Sequence, residues 1–410
     1  MNDEFVCAEC FNDQGMKDFC NAYAEENECS FCGTKNKEPI AAPLDDVISH
    51  INACIHHHFD DPANAGLPFE SAEGGYQGST YYTSEVFDEL GLDFPQDRDG
   101  RLYNAISAGV DNDLWSEAEP FRLSSDQRLQ FSWENFCRII KHELRFFFLR
   151  PQRNRSLYDD EDELFSPERI LHTIFKFAES ANGFVTLPAG TKLFRARYQP
   201  KDASYFSAST LGPPPVDHAI KTNRMSPPGV VMTYAAEDKE TALAETADSP
   251  GTFVVAEFAN DRDLMILDLT RIPEVPSFFA ELSDTMEYDP RPRLNFLHNI
   301  SREISRPIAR DDRVHVEYVP TQVVTEYVRT AIEINGQKVD GIRYNSSRRH
   351  AATAIVLFAD QENLVLDEGE RPEFYRTADR WLRLVKFSTT KVTAKNITRW
   401  TTPPRTDLFK

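Results

Sequence analysis

The sequence has no run of 18 or more apolar residues, so no segment of it reads as a membrane-spanning helix. Its opening, Met1-Asn2-Asp3-Glu4-Phe5, lacks the basic start and apolar stretch of a secretory signal. Basic side chains are scarce in the first hundred positions, 4 against 21 acidic ones, and this stretch alone carries −17 of a formal net charge of −21. A phosphate backbone would be repelled there, which disfavours nucleic acid as a partner of that end. The remaining residues, 45 acidic and 41 basic, are nearly neutral and leave room for a small anion held by local arginines. Cysteine is sparse: seven in 410 residues, an odd number, with four in two close pairs. That usage suits metal binding or free thiols in a reducing cytoplasm better than a disulfide framework. Apolar residues are not lacking, at 40%, and this length gives room for two or three folded domains.

The two pairs, Cys7-x-x-Cys10 and Cys29-x-x-Cys32, stand 18 residues apart, a spacing that suits a structural zinc held by four thiolates. Gly33 follows the second pair, where such a knuckle turns through the left-handed region. The competing reading is two CxxC turns that bind nothing. Cys20 fits neither pair. His56, His57 and His58 do not suggest a second metal, because neighbours on a helix point about 100° apart. They sit at the end of a helix expected from Pro43 to Phe59, with Leu44, Val47, Ile48, Ile51 and Ile55 on one face.

Residues 43–185 read as mostly helical, interrupted by a glycine-rich loop at 73–75. Leu129, Trp133, Phe136, Ile140 and Leu144 recur at helical steps from Ser125 to Leu149, with Ser124 or Ser125 as the N-cap. An acidic loop, Asp159 to Glu163, precedes a second helix opened by Ser166-Pro167 and running to about Asn182. An acidic helical domain behind a cysteine knuckle resembles the HEPN-type module found ahead of RES domains. Catalytic HEPN members carry an Arg and a His with four to six residues between them. No such pair occurs in residues 40–185, and the nearest, Arg138 and His142, has three residues between. A scaffold or sensor role is expected instead.

From Leu187 the texture changes to short β-branched and aromatic runs separated by Pro and Gly. Strands are expected at Lys192–Arg197, Val230–Tyr234, Phe253–Phe258, Leu264–Leu267, Gly341–Tyr344 and Ala354–Phe358. Helices are expected at Asp238–Thr246, Asn295–Ile304 and Thr321–Ile334. On the first strand Arg195 and Arg197 share a face. The pair suits either a diphosphate gripped by charge-assisted bonds or a solvated edge strand. Glu245 falls on the Asp238–Thr246 helix. Residues 375–401 are expected to add a strand or helix to the same domain.

Leu193-Phe194-Arg195, Asn223-Arg224 with Tyr234-Ala235-Ala236, Thr241-Ala242-Leu243-Ala244-Glu245, Pro320-Thr321-Gln322 and Asp340-Gly341-Ile342-Arg343-Tyr344-Asn345-Ser346-Ser347 resemble the RES domain. The likeness covers about residues 187–370, with its elements in the family's order. It implies an ADP-ribosyltransferase-like fold, consumption of NAD as substrate, and toxin or defence roles. By that resemblance Glu245, Arg195, Tyr234 and Ser346 are the catalytic residues. Arg195, Arg224, Tyr234, Ser346 and Ser347 would hold the NAD, with Ser346 favoured over Ser347 as the motif serine. Two departures stand out: Asn223-Arg224-Met225 replaces Gly-Arg-Trp, and about 70 residues separate Thr246 from Pro320.

The fold class expected is α+β: a zinc knuckle over residues 1–40 on Cys7, Cys10, Cys29 and Cys32, an α-helical HEPN-like domain over 41–185, and a mixed α/β RES-like domain over 187–410. The activity expected is cleavage of NAD at the nicotinamide–ribose bond under restraint by the N-terminal region. Transfer of ADP-ribose to a protein or nucleic acid, and a non-catalytic nucleotide- or partner-binding module, are the alternatives. An antitoxin or regulatory protein as partner, and self-association into a homo-oligomer, are compatible with it; a membrane is not expected.

Overall fold

The structure is a computed structural model and describes residues 4–72, 74–146, 164–200, 206–282, 289–306, 313–366 and 379–401. The expected helical continuation to Leu149 and the acidic loop Asp159–Glu163 lie outside the described residues, as does Glu73 of the glycine-rich loop. The chain divides into two compact units: residues 1–128 with 274–292, and residues 129–273 with 293–410.

In the first unit the strand Phe5–Cys7 pairs antiparallel with Ala41–Pro43. Helices follow at Gln14–Ala22 (α1), Leu44–Ile55 (α2), Thr83–Leu90 (α3) and Arg101–Gly109 (α4). The apolar face expected of α2 is buried at Leu44, Val47, Ile51 and Ile55. The helix ends at Ile55, four residues short of Phe59, and the histidines lie beyond it. Residues 59–117 are less helical than expected. Short antiparallel pairs form at Phe59–Asp60 with Ser116–Glu117, at Phe69–Glu70 with Gly75–Tyr76, and at Tyr81–Tyr82 with Leu114–Trp115. The glycines at 66, 74, 75 and 78 all take positive φ there, a preference that breaks helices and makes turns.

A segment distant in sequence completes this unit's core. Phe279 is fully buried among Phe11, Met16, Ile51, Ile55 and Trp115. Ser277 Oγ donates to both carboxylate oxygens of Asp13, at 2.7 and 2.6 Å, and Asp13 also caps α1 by accepting from the Met16 N–H. His50 Nε2 lies 2.8 Å from the Phe279 carbonyl, and Tyr23 donates to Glu281 at 2.9 Å. A Cβ at Gly15 would stand 2.4 Å from the Ala280 nitrogen, so only glycine lets the segment lie this close to α1. The 70-residue departure from the compact family pattern therefore includes a strap that belongs to the other unit.

The second unit is built on a nine-stranded sheet. Its strands are β1 (Phe184–Leu187), β2 (Lys192–Tyr198), β3 (Thr233–Ala236), β4 (Gly251–Asn260), β5 (Leu264–Asp268), β6 (Gly341–Asn345), β7 (Thr353–Leu357), β8 (Leu364–Val365) and β9 (Leu382–Val392). Their order is β8-β9-β4-β2-β3-β7-β6-β5-β1. The helices are α5 (Ser125–His142), α6 (Pro167–Ser180), α7 (Lys239–Thr246), α8 (Arg291–Ser305), α9 (Val319–Ala331) and α10 (Ala394–Thr401). Ser124 caps α5 by accepting from the Gln127 N–H, and Ser166 caps α6 by accepting from the Arg169 N–H. From Leu129 onward the apolar faces of α5 and α6 pack with α8, α9 and the β6–β7 face, at Trp133, Phe136, Ile174, Ile300, Val328, Ile342 and Val356. The C-terminal segment supplies both a strand, β9, and a helix, α10, whose Trp400 packs with α7 at Leu243.

Candidate active site and metal centre

α7 begins at Asp238, whose side chain accepts from the Thr241 N–H at 2.9 Å. Thr241, Ala242, Leu243 and Ala244 are buried, and Glu245 follows them, partly exposed, in the last turn. The loop after β6 folds back along this helix. Ser346 Oγ donates to Glu245 Oε1 at 2.5 Å and accepts the backbone N–H groups of Arg348 and Arg349, at 3.2 and 3.1 Å. Arg349 Nη1 reaches both oxygens of Asp238 at 2.9 Å and Thr241 Oγ1 at 2.8 Å, while Arg348 reaches Asp248 at 2.5 Å. The loop is thus tied to both ends of α7. Among the described residues Ser346, and not Ser347, bonds to Glu245. Sequence reasoning gave Arg348 and Arg349 no role; a basic pair directly after two serines was the available signal.

Tyr234 and Tyr344 stand on one face of β3 and β6, in the core beneath α8 and α9. Tyr234 Oη accepts from the Met225 N–H at 3.2 Å and lies 3.1 Å from Ser226 Oγ. Burial above all pushes its phenol up to about 12, so it remains a neutral hydroxyl. Burial first, then the charge of Glu245, raises the Tyr344 phenol well above its ordinary range, which puts that ring within the carboxylate's field. The loop carrying Arg224 is held from α9: Thr321 Oγ1 donates to the Arg224 carbonyl at 2.5 Å, and Gln322 Nε2 to Thr222 Oγ1 and the Asn223 carbonyl at 2.9 and 2.8 Å. Arg224 itself lies 5.4 Å above the Tyr318 ring. Met225, at the position where the resemblance has Trp, is fully buried in the same core.

Arg195 comes from the neighbouring strand. Its Nη1 donates to the Tyr234 carbonyl at 2.8 Å. By register it stands with Leu193 and Arg197 over Val254, Ala256 and Phe258, on the face opposite the Tyr234 ring. The solvated-edge reading of Arg195 and Arg197 does not hold: β2 lies between β4 and β3 in the strand order, and both arginines are half-buried. Beside Asn345, which directly precedes Ser346, a groove of about 1050 Å³ runs between α5 and α8, lined by Trp133, Glu134, Lys141, Asn299 and Arg302.

In the first unit the four predicted cysteines converge, all their sulfurs within 4.8 Å of one another. Cys7 Sγ is 3.9 Å from Cys10 and 3.5 Å from Cys32, and Cys10 is 3.6 Å from Cys29. Four thiolates at about 2.3 Å around a tetrahedral ion would stand roughly 3.8 Å apart, so the residues fit a metal. Without a cation they cannot all ionise. Cys10 and Cys7 donate to Cys29 and hold its thiol low, while the same bond to Cys29 pushes Cys10 up. Gly33 takes φ +73° and returns its N–H to the Cys29 carbonyl at 3.1 Å, the left-handed turn expected of a knuckle. Cys20 is buried and outside the cluster. The histidines do not converge: His56 reaches Asp111 and His58 reaches Asp289.

No helix among the described residues is long and apolar enough to cross a membrane. Comparison with curated proteins and with solved structures gave no match. Two family models do match: HEPN/RES N-terminal domain 1 over residues 22–154, and the RES domain over residues 192–377, the stretch that carries Arg195, Arg224, Tyr234, Glu245 and Ser346. The chain is therefore a RES-domain protein with a HEPN/RES N-terminal domain ahead of it.

Proposed function

We propose that the RES domain cleaves NAD at the bond between nicotinamide and ribose. The observation that carries this reading is the Ser346–Glu245 hydrogen bond, which holds a carboxylate within the field of the Tyr344 ring. In the reaction the C–N bond breaks and its electron pair leaves on the nicotinamide nitrogen, while positive charge grows on the ribose. Glu245 stabilises that charge and accepts a hydrogen bond from a ribose hydroxyl. Ser346 and the two N–H groups behind it hold the carboxylate in place. Arg195 and Arg224 offer guanidinium groups to the pyrophosphate, and Tyr234 lines the nicotinamide end. An oxygen nucleophile then bonds to the ribose carbon and gives up its proton; with water the product is ADP-ribose, with phosphate its phosphorylated counterpart.

Purified protein incubated with NAD is expected to release nicotinamide, and Glu245→Gln to stop it. Release that survives this substitution removes Glu245 from the mechanism. Label from NAD recovered on a macromolecule instead of in small products would reassign the activity to ADP-ribosyl transfer. NAD bound but intact would leave a binding module. The four-cysteine centre we read as structural zinc, since four sulfurs leave no open position for substrate. The N-terminal half we read as a regulatory element, as befits a host that must survive its own NAD-consuming enzyme.

A further inference from the structure

In the middle of the nine-stranded sheet, β2 and β3 pair at one position only, Phe194 with Ala236. On its other side β2 stays paired with β4 from Lys192 to Tyr198. From Arg195 onward the two strands part, and the backbone carbonyl of Tyr234 accepts from the Arg195 guanidinium, not from a β2 backbone N–H. Arg197 stands two residues along on the same face and donates through Nη2 to the Gly212 carbonyl. Each guanidinium keeps a buried Nε–H with no acceptor among the described residues. Such a group loses its water without replacement and is unfavourable unless a ligand supplies the acceptor.

The charges are equally unbalanced. Elsewhere in this unit Arg262, Arg343, Arg349 and Arg383 each hold a carboxylate. Neither Arg195 nor Arg197 has an acidic partner among the described residues, and each lies in the other's field. Burial, and then the charge of Arg197, drive Arg195 down to about 9. Two half-buried like charges on one strand face repel, and an anion between them removes that repulsion. Their Cα atoms stand about 6.6 Å apart at 3.3 Å per residue, a span that suits two linked phosphates better than one.

We propose that Arg197 joins Arg195 in holding the diphosphate of the substrate, at the opening where β2 and β3 part. The choice of a dinucleotide rests on the NAD reading above; the diphosphate site does not. The test uses the full chain, with inorganic pyrophosphate and ADP-ribose as calorimetric probes and NAD turnover beside them. Arg197→Gln is expected to weaken pyrophosphate binding and raise the KM for NAD by on the order of tenfold to a hundredfold, with kcat changed little. Arg197→Leu, whose apolar chain suits the half-buried position, serves if the Gln variant does not fold. Pyrophosphate affinity and KM unchanged in a folded variant overturn the proposal while leaving NAD cleavage intact. Arg197-dependent pyrophosphate binding in a protein that releases no nicotinamide upholds the site and overturns the NAD reading instead. A fall in kcat at unchanged KM and unchanged pyrophosphate affinity also rejects it, since that would give Arg197 a part in the chemical step and none in holding the ligand.

Discussion

Ser346 donates its hydroxyl proton to Oε1 of Glu245 at 2.5 Å, joining two residues 101 positions apart, while its oxygen receives two backbone N–H groups. A hydroxyl held in this way fixes the position of the carboxylate. Ser346→Ala should therefore keep the fold and lower nicotinamide release by about 10²-fold, the scale for losing one positioned donor. Ser347→Ala should leave it nearly unchanged. Steady-state kinetics of the two variants side by side separate the serines, and equal losses would count against Ser346 as the functional one.

The Gln322 side chain donates to Thr222 and Asn223 in the loop that presents Arg224, so its effect should appear in substrate binding. Gln322→Ala is expected to raise the KM for NAD several-fold while costing about 1 kcal/mol of stability, the usual worth of a hydrogen bond. A loss confined to kcat would show that the loop serves something other than binding.

One metal ion per chain is expected at Cys7, Cys10, Cys29 and Cys32, by elemental analysis of protein prepared without chelator. Cys29→Ser should abolish it, whereas Cys20→Ser should not. Because the ligands must be ionised, the ion should be released more readily as the pH falls, and chelation should unfold the knuckle.

Phe279 is wholly enclosed in the first unit's core. Phe279→Ala should destabilise that unit by about 3–5 kcal/mol, measured by denaturant unfolding of the full chain. Gly15→Ala approaches the same contact from the opposite side and should loosen residues 277–281 in hydrogen exchange. Strap protection identical to wild type in both variants would show that the contact carries little.

Arg343 and Asp268 form a buried pair at 2.8 Å, between the parallel neighbours β6 and β5. Asp268→Asn should cost about 1.5–3 kcal/mol by removing one of the two carboxylates, Asp268 and Glu237, that hold the buried Arg343 guanidinium. Thermal unfolding reads this directly, and a shift of less than 1 kcal/mol would show the pair to be solvated.

The parts of the fold carried by local pattern were legible in the sequence. The alternation through Leu193 to Arg197 and the apolar runs at Phe253–Phe258 and Ala354–Phe358 placed three strands within a few residues of β2, β4 and β7. Ser166-Pro167 marked the start of α6. β3 was expected at Val230–Tyr234 and lies at Thr233–Ala236, because Gly229 takes φ +88° and the chain is still turning at Val230. The cysteine spacing pointed to a cluster that the fold does assemble. Pairings set by the folded chain left no such trace. Gln322 under the Arg224 loop, Arg349 on Asp238 and the parting of β2 from β3 are tertiary facts, and no local periodicity encodes them. Phe278-Phe279 carried a faint signal, two aromatics in a Pro-rich connection, but nothing in it named the distant core it fills.

That connection also bears on how the chain is made. The first unit's own helices are complete by Gly109, yet its core lacks Phe279 until residues 274–292 have been synthesised. At about 5–20 residues per second, that is on the order of 10–30 s after residue 128 leaves the ribosome. During this interval the first unit's core is without its Phe279 side chain, and five of the nine strands of the second unit's sheet emerge before it arrives.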